Sequence, residues 1–85
     1  MIHKFRLVII GENEIRLLNR ILILISRRNL KINYINVSKK KFENNINEYL
    51  LDLECKKNQL IKLNKLINQL IGISHTYYYK KKISV

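Results

Sequence analysis

The apolar residues of this chain switch between two repeat lengths, and the order of the switches leaves few folds open. In His3-Lys4-Phe5-Arg6-Leu7-Val8-Ile9, Phe5, Leu7 and Ile9 fall on one side and Lys4 and Arg6 on the other, the two-residue period of a strand over about 3–10. Gly11-Glu12-Asn13 breaks it. From 14 to 28 the spacing becomes three and four: Leu18, Ile21, Leu22 and Ile25 form the stripe of an amphipathic helix. Asn13 is the expected N-cap, with Glu14 favourable in the first turn and Arg27 and Arg28 at the negative end of the dipole. Asn29, which tolerates left-handed geometry, is the expected stop.

A second strand is expected over 30–37 with a fault in it. Leu30 and Ile32 match one face, Ile35 and Val37 the other, and a bulge would reconcile them. Ser38 to Asn45 reads as a charged loop ending in turn-forming asparagines. The third strand, 46–54, sets Tyr49, Leu51 and Leu53 against Glu48, Asp52 and Glu54, a trio that reads as a solvated or interface face. A second helix over 57–71 buries Leu60, Leu63, Ile67, Leu70 and Ile71 and ends at Gly72. The last strand runs over 73–79 into Lys80-Lys81-Lys82. The order is βαββαβ: an α+β, ferredoxin-like sandwich with a four-stranded antiparallel sheet and both helices on one face.

Composition bounds the rest. The 85 residues are expected to form a single domain, 1–85, with no linker and little room for a deep cleft. Cys55 is the one cysteine and has no internal disulfide partner. The N-terminal apolar run is too short for a signal peptide, and no stretch suits a membrane span, so a cytoplasmic location is expected. His3 and His75 lie far apart, and no spacing resembles a metal site. Two glycines cannot make a phosphate loop, and the few carboxylates do not converge, so no catalytic residue is assigned.

The net charge of +11 raises nucleic acid as a partner. Lysine, asparagine and isoleucine dominate, all with A/T-rich codons, and the charge is read mainly as compositional drift. The lysine runs 39–41 and 80–82, the latter beside Tyr77-Tyr78-Tyr79, are the candidate contacts. The RNA-recognition motif shares the topology, but its third strand carries stacking aromatics where this one reads Asn45-Ile46-Asn47-Glu48-Tyr49-Leu50-Leu51-Asp52. Nucleic acid is therefore the less favoured partner.

The segments flanking the first helix are the most specific. Glu12-Asn13-Glu14, then Leu18 and Arg20-Ile21, resembles the opening of an ACT domain, E-N-x-x-G-x-L-x-R-I/V. Ser26-Arg27-Arg28-Asn29-Leu30-Lys31-Ile32, with Ile35 and Val37, resembles S-R-R-G-Y/F-N-I-x-x-L-x-V of the acetolactate synthase small subunits. Gln69-Leu70-Ile71-Gly72-Ile73-Ser74-His75 is similar to their K-L-V-D-V stretch, and a single ACT domain resembles the short subunit of the isozyme II type.

The resemblance implies a non-catalytic regulatory or activating subunit in isoleucine, valine and leucine biosynthesis, homodimeric through the ACT domain. It would bind a large catalytic subunit that holds thiamine diphosphate, Mg and FAD, with no cofactor on this chain. It further implies an effector loop between the first strand and first helix, where Asn13 and Arg16 are the candidates. Arg16 stands where the motif has a glycine that opens backbone amides to a ligand carboxylate, so valine insensitivity is expected. Arg27, Arg28 and Asn29 form the family-like junction. Two other readings remain open: a basic nucleic-acid- or ribosome-binding protein, and a stand-alone amino-acid-sensing ACT domain.

Overall fold

The computed structural model describes residues 1–40 and 44–81. Its elements are β1 (His3–Glu12), α1 (Ile15–Arg27), β2 (Lys31–Lys39), β3 (Ile46–Cys55), α2 (Lys57–Asn68) and β4 (Ile73–Lys80). The strands form one antiparallel sheet in the order β2-β3-β1-β4, as expected of the ferredoxin-like order. Lys41 and Lys82, the ends of the two lysine runs, lie outside the described residues.

The two faces of the sheet follow directly from strand alternation. Phe5, Leu7 and Ile9 of β1 pair with Leu53, Leu51 and Tyr49 of β3, and all six point at the helices. Leu17, Ile21 and Ile25 of α1 and Leu60, Leu63 and Ile67 of α2 close over them. Each such side chain removed from water contributes roughly 1.5–3 kcal/mol, which is what holds two layers of so short a chain together.

The fault in β2 is a bulge. Ile32 opposes Leu53 and Tyr34 opposes Asp52, so the register slips at Asn33, and Ile35 and Val37 then oppose Leu51 and Tyr49. The extra residue returns both to the covered side, the side of Ile32. They remain 39% exposed because β2 is an edge strand.

Three expectations about the helices need correction. Leu17, not Leu18, is fully buried on α1; Leu18 and Leu22 pack at the margin. The stripe is rotated because Leu17 lies on Gly11, where a Cβ would stand 2.8 Å from its Cδ2. α2 stops at Asn68 rather than residue 71, and Ile71 is 84% exposed instead of buried. The Gln69 and Leu70 amides donate to Leu66 and Ile67, three residues back, and the Asn68 side chain donates to Asn64 O and Thr76 Oγ1. That tight turn swings Ile71 outward, and Gly72, at φ +99°, reverses the chain into β4. Finally, Asn13 does not cap α1. The N-cap is Glu14, and no side chain bonds the helix amides there.

Candidate functional site

The turn from β1 into α1 is pinned on three sides. Glu12 N–H donates to Gly72 O at 2.9 Å, the Tyr49 hydroxyl donates to Glu12 O, and Asn13 N–H donates to Asn45 O at 2.7 Å. The Asn13 side chain, drawn away from the helix, accepts from Asn47 Nδ2 at 2.9 Å. This bond is why the cap failed: the Asn13 oxygen is committed to β3. Asn45, at φ 62°, makes the tight turn that leads into β3 at this place.

Glu12, Asn13, Glu14, Asn45 and Ile46 line a recess at this place. Beside it Asn47 is 7% exposed, and its Oδ1 has no hydrogen-bond partner among the described residues. The first bonds of α1 are from Leu17 and Leu18 to Glu14 O, which leaves the Ile15 and Arg16 amides at the open helix end. The free Ile15 and Arg16 amides follow the recess-lining Glu14 in the chain, and an open helix end of this kind attracts a small anion. Arg16 is exposed and is not among the residues lining the recess, so the structure does not bring the Asn13 and Arg16 side chains together. Asn45 and Asn47 were missed as site residues; the signal was Asn47 sharing the parity of Tyr49, Leu51 and Leu53, a polar residue on an apolar face.

The junction at the other end of α1 is a helix stop. Arg28 is the C-cap, Asn29 takes φ 53°, and the Asn29 and Leu30 amides donate to Ser26 O and Ile25 O at 3.0 and 3.4 Å. These paired bonds, with Leu30 packed on the core near Ile25, form a Schellman motif. Arg28 also donates from Nη1 to Leu24 O at 3.3 Å, and Arg27 is exposed.

The uncovered sheet face, expected to carry Glu48, Asp52 and Glu54 as a solvated or interface trio, instead buries Asp52 in a charge network. Asp52 is 5% exposed and lies between Arg6, Nε to Oδ1 2.8 Å, and Lys81, Nζ to Oδ2 2.8 Å. The Arg6 bond, opposed by burial and helped by Lys81, holds the Asp52 carboxyl at about 2 against an ordinary 3.8. Glu54 is also lowered, by a hydrogen bond from Asn33 and by Lys31 and Lys4. Lys81 is thus half of an ion pair rather than a free contact for phosphate. Tyr34, Tyr77 and Tyr79 are about half exposed on this face, while Tyr78 points to the core side.

Cys55 is buried, and burial pushes its thiol up, away from nucleophilic use. His3 stacks edge-on near Phe5, and His75 lies 5.9 Å from the Tyr77 ring. Among the described residues no three metal-ligating side chains gather, and no helix is long and apolar enough to cross a membrane.

No protein-family model matches the sequence, and no curated protein does. Solved structures do. The ACT domain of GTP pyrophosphokinase from Chlorobium tepidum superposes at TM-score 0.78 and 20% identity, over 93% of this chain and 100% of that one. The acetolactate synthase small subunit of Thermotoga maritima gives 0.77 at 12% identity over 88% of this chain, which spans 46% of that one. Ribosomal protein S6 of Thermotoga maritima gives 0.71 at 16% identity, over 95% and 89%. At these identities the likeness is one of fold, an ACT-type ferredoxin-like sandwich.

Proposed function

We propose that this chain is a non-catalytic regulatory subunit, the activator of an acetolactate synthase in branched-chain amino-acid biosynthesis. The observation that carries the reading is α1 with its two flanks: a Glu12-Asn13-Glu14 turn that opens a recess beside free helix amides, and a Ser26-Arg27-Arg28-Asn29 stop. Both are the segments in which the sequence resembles that family, and the fold is shared with one of its small subunits. The partner would be the large catalytic subunit carrying thiamine diphosphate, Mg and FAD, and this chain would pair with a second copy through the ACT domain.

Amino-acid control is proposed to be weak or absent. A ligand carboxylate at α1 must reach the Ile15 and Arg16 amides, and a charged side chain at residue 16 departs from the place where the motif has none. Each charge-assisted bond lost costs about 1.5–3 kcal/mol, enough over two bonds to abolish a micromolar site.

Calorimetry tests both halves. Titrating the catalytic subunit into the chain should give saturable binding, and titrating valine into the chain should give no heat. Absence of any complex with the catalytic subunit would remove the activator reading. Micromolar valine binding would instead make the chain a sensor.

A further inference from the structure

The charges of this molecule are divided between its two layers. On α1 stand Arg16, Arg20, Arg27 and the C-cap Arg28. On α2 stand the N-cap Lys56, then Lys57, Lys62 and Lys65. Among the described residues the one carboxylate in this layer is Glu14. The open sheet face differs: Lys4, Arg6, Lys31 and Lys81 share it with Glu12, Glu48, Asp52 and Glu54, and all four ion pairs of the described residues lie there. Drift toward lysine would fill exposed positions of both faces alike. Most of the excess positive charge of the described residues sits on the helices, with Lys39, Lys40 and Lys80 at the strand ends, so the helical surface attracts acidic partners over a distance set by the ionic strength.

The same layer exposes aliphatic side chains. Ile15 is 72% exposed, Ile23 49% and Ile61 40%. Between the helices a cleft of about 610 Å³ sets Leu24 and Leu66 among Arg27, Arg28, Gln59 and Lys62. A phosphate backbone gains nothing from isoleucine, and a single strand needs rings on which to stack its bases. Neither helix carries an aromatic residue; Tyr34, Tyr77 and Tyr79 are all on the opposite face. Apolar contacts within a cationic, arginine-rich rim fit a protein surface. The molecule's two longer extents, 39 and 30 Å, leave room on a broad side for the ~800 Å² that each partner buries in a standard interface.

We propose that the α1–α2 layer is the docking face for an acidic, partly apolar protein surface, with a side chain of the partner entering the Leu24–Leu66 cleft. Resting on the regulatory reading above, that surface belongs to the catalytic subunit. The open sheet face and the β2 and β4 edges then stay free of it.

The test is calorimetric, with three probes: the acetolactate synthase catalytic subunit of the same organism, an acidic amphipathic helical peptide, and oligo(dT). The unmodified chain is compared with Arg20→Glu/Arg27→Glu/Lys62→Glu, with the milder Arg20→Gln/Arg27→Gln/Lys62→Gln, and with the sheet-face control Tyr34→Ala/Tyr77→Ala. Circular dichroism checks folding, and if the Glu variant does not fold, the Gln variant carries the test. The expected result is binding of the catalytic subunit that weakens on the order of tenfold or more in the Glu variant, less in the Gln variant and not in the control, with the acidic peptide competing. Binding indifferent to the helix substitutions overturns the docking face and leaves the regulatory reading standing. Loss of peptide binding in the Glu variant, with no binding of the catalytic subunit by any form, upholds the face and removes the regulatory reading. Tighter binding of oligo(dT) than of the peptide overturns the proposal in favour of nucleic acid.

Discussion

Leu50 and Leu51 are neighbours on β3 and live in different chemistry. Leu51 is fully buried between the sheet and both helices, whereas Leu50 sits half-buried on the open face, opposite Val8 and Asn36. The covered face is held by close packing of apolar atoms, which neither salt nor pH touches. The open face is held by a carboxylate between two cations, and both solvent variables reach it. One sheet thus carries two kinds of stability, and the surface charge that could attract a partner lies beyond the covered face, on the helices.

The largest effect is expected where the packing is tightest. Leu51→Ala should destabilise by about 2–5 kcal/mol in guanidinium unfolding, since the cavity cannot collapse between two packed layers. Leu50→Ala should cost under about 1 kcal/mol. Equal costs for the two would mean that the open face is covered in solution, for example by a second copy.

Next in size is the charge network. Asp52→Asn keeps the shape but removes the negative charge and turns one of the two acceptor oxygens facing Arg6 and Lys81 into an N–H donor, and should cost about 1–3 kcal/mol. Chemical denaturation in low and high salt would sharpen this: the penalty should shrink with salt, while that of Leu51→Ala should not.

The pH dependence has a definite sign. The Asp52 carboxyl is held at about 2 in the folded chain against an ordinary 3.8, so its contribution is complete above about pH 5 and is lost as pH falls from there toward 2. With Arg6 and Lys81 partly solvated, about 1–2 kcal/mol is expected from this group. Acid unfolding of Asp52→Asn should lack that component, and identical acid profiles for the two proteins would contradict the paired geometry. The smallest effect belongs to Lys31, whose Nζ is 4.0 Å from Glu54 and well exposed. Lys31→Ala should be indistinguishable from the parent in thermal melts.

Legibility in the sequence followed the same division. Period alone located all six elements and the sheet alternation, because burial on one side imposes a pattern that local propensity need not supply. It even located the β2 bulge, since Ile32 and Ile35 cannot share a face without an extra residue. The rotation of α1 was not legible: Leu17 and Leu18 both satisfy a helical spacing, and the choice between them is made by Gly11, a residue on another element. The Asn13 side chain was assigned to the helix because a local partner was in view, whereas its actual partner, Asn47, is 34 residues away. Asp52 was placed correctly by parity and misjudged in burial, because Lys81 reaches it from beyond the end of β4. In each case the missing information was a contact between two different elements, which the pattern within one element does not carry.

The proposed role of this small domain is to raise the activity of a partner enzyme. It is tested most directly by the rate of pyruvate condensation by the acetolactate synthase catalytic subunit as this chain is added. The account predicts a rate that climbs to a plateau, and a plateau reached only at far higher concentration when Arg20, Arg27 and Lys62 are replaced by glutamate. A rate that stays flat across the titration with the unmodified chain would contradict it.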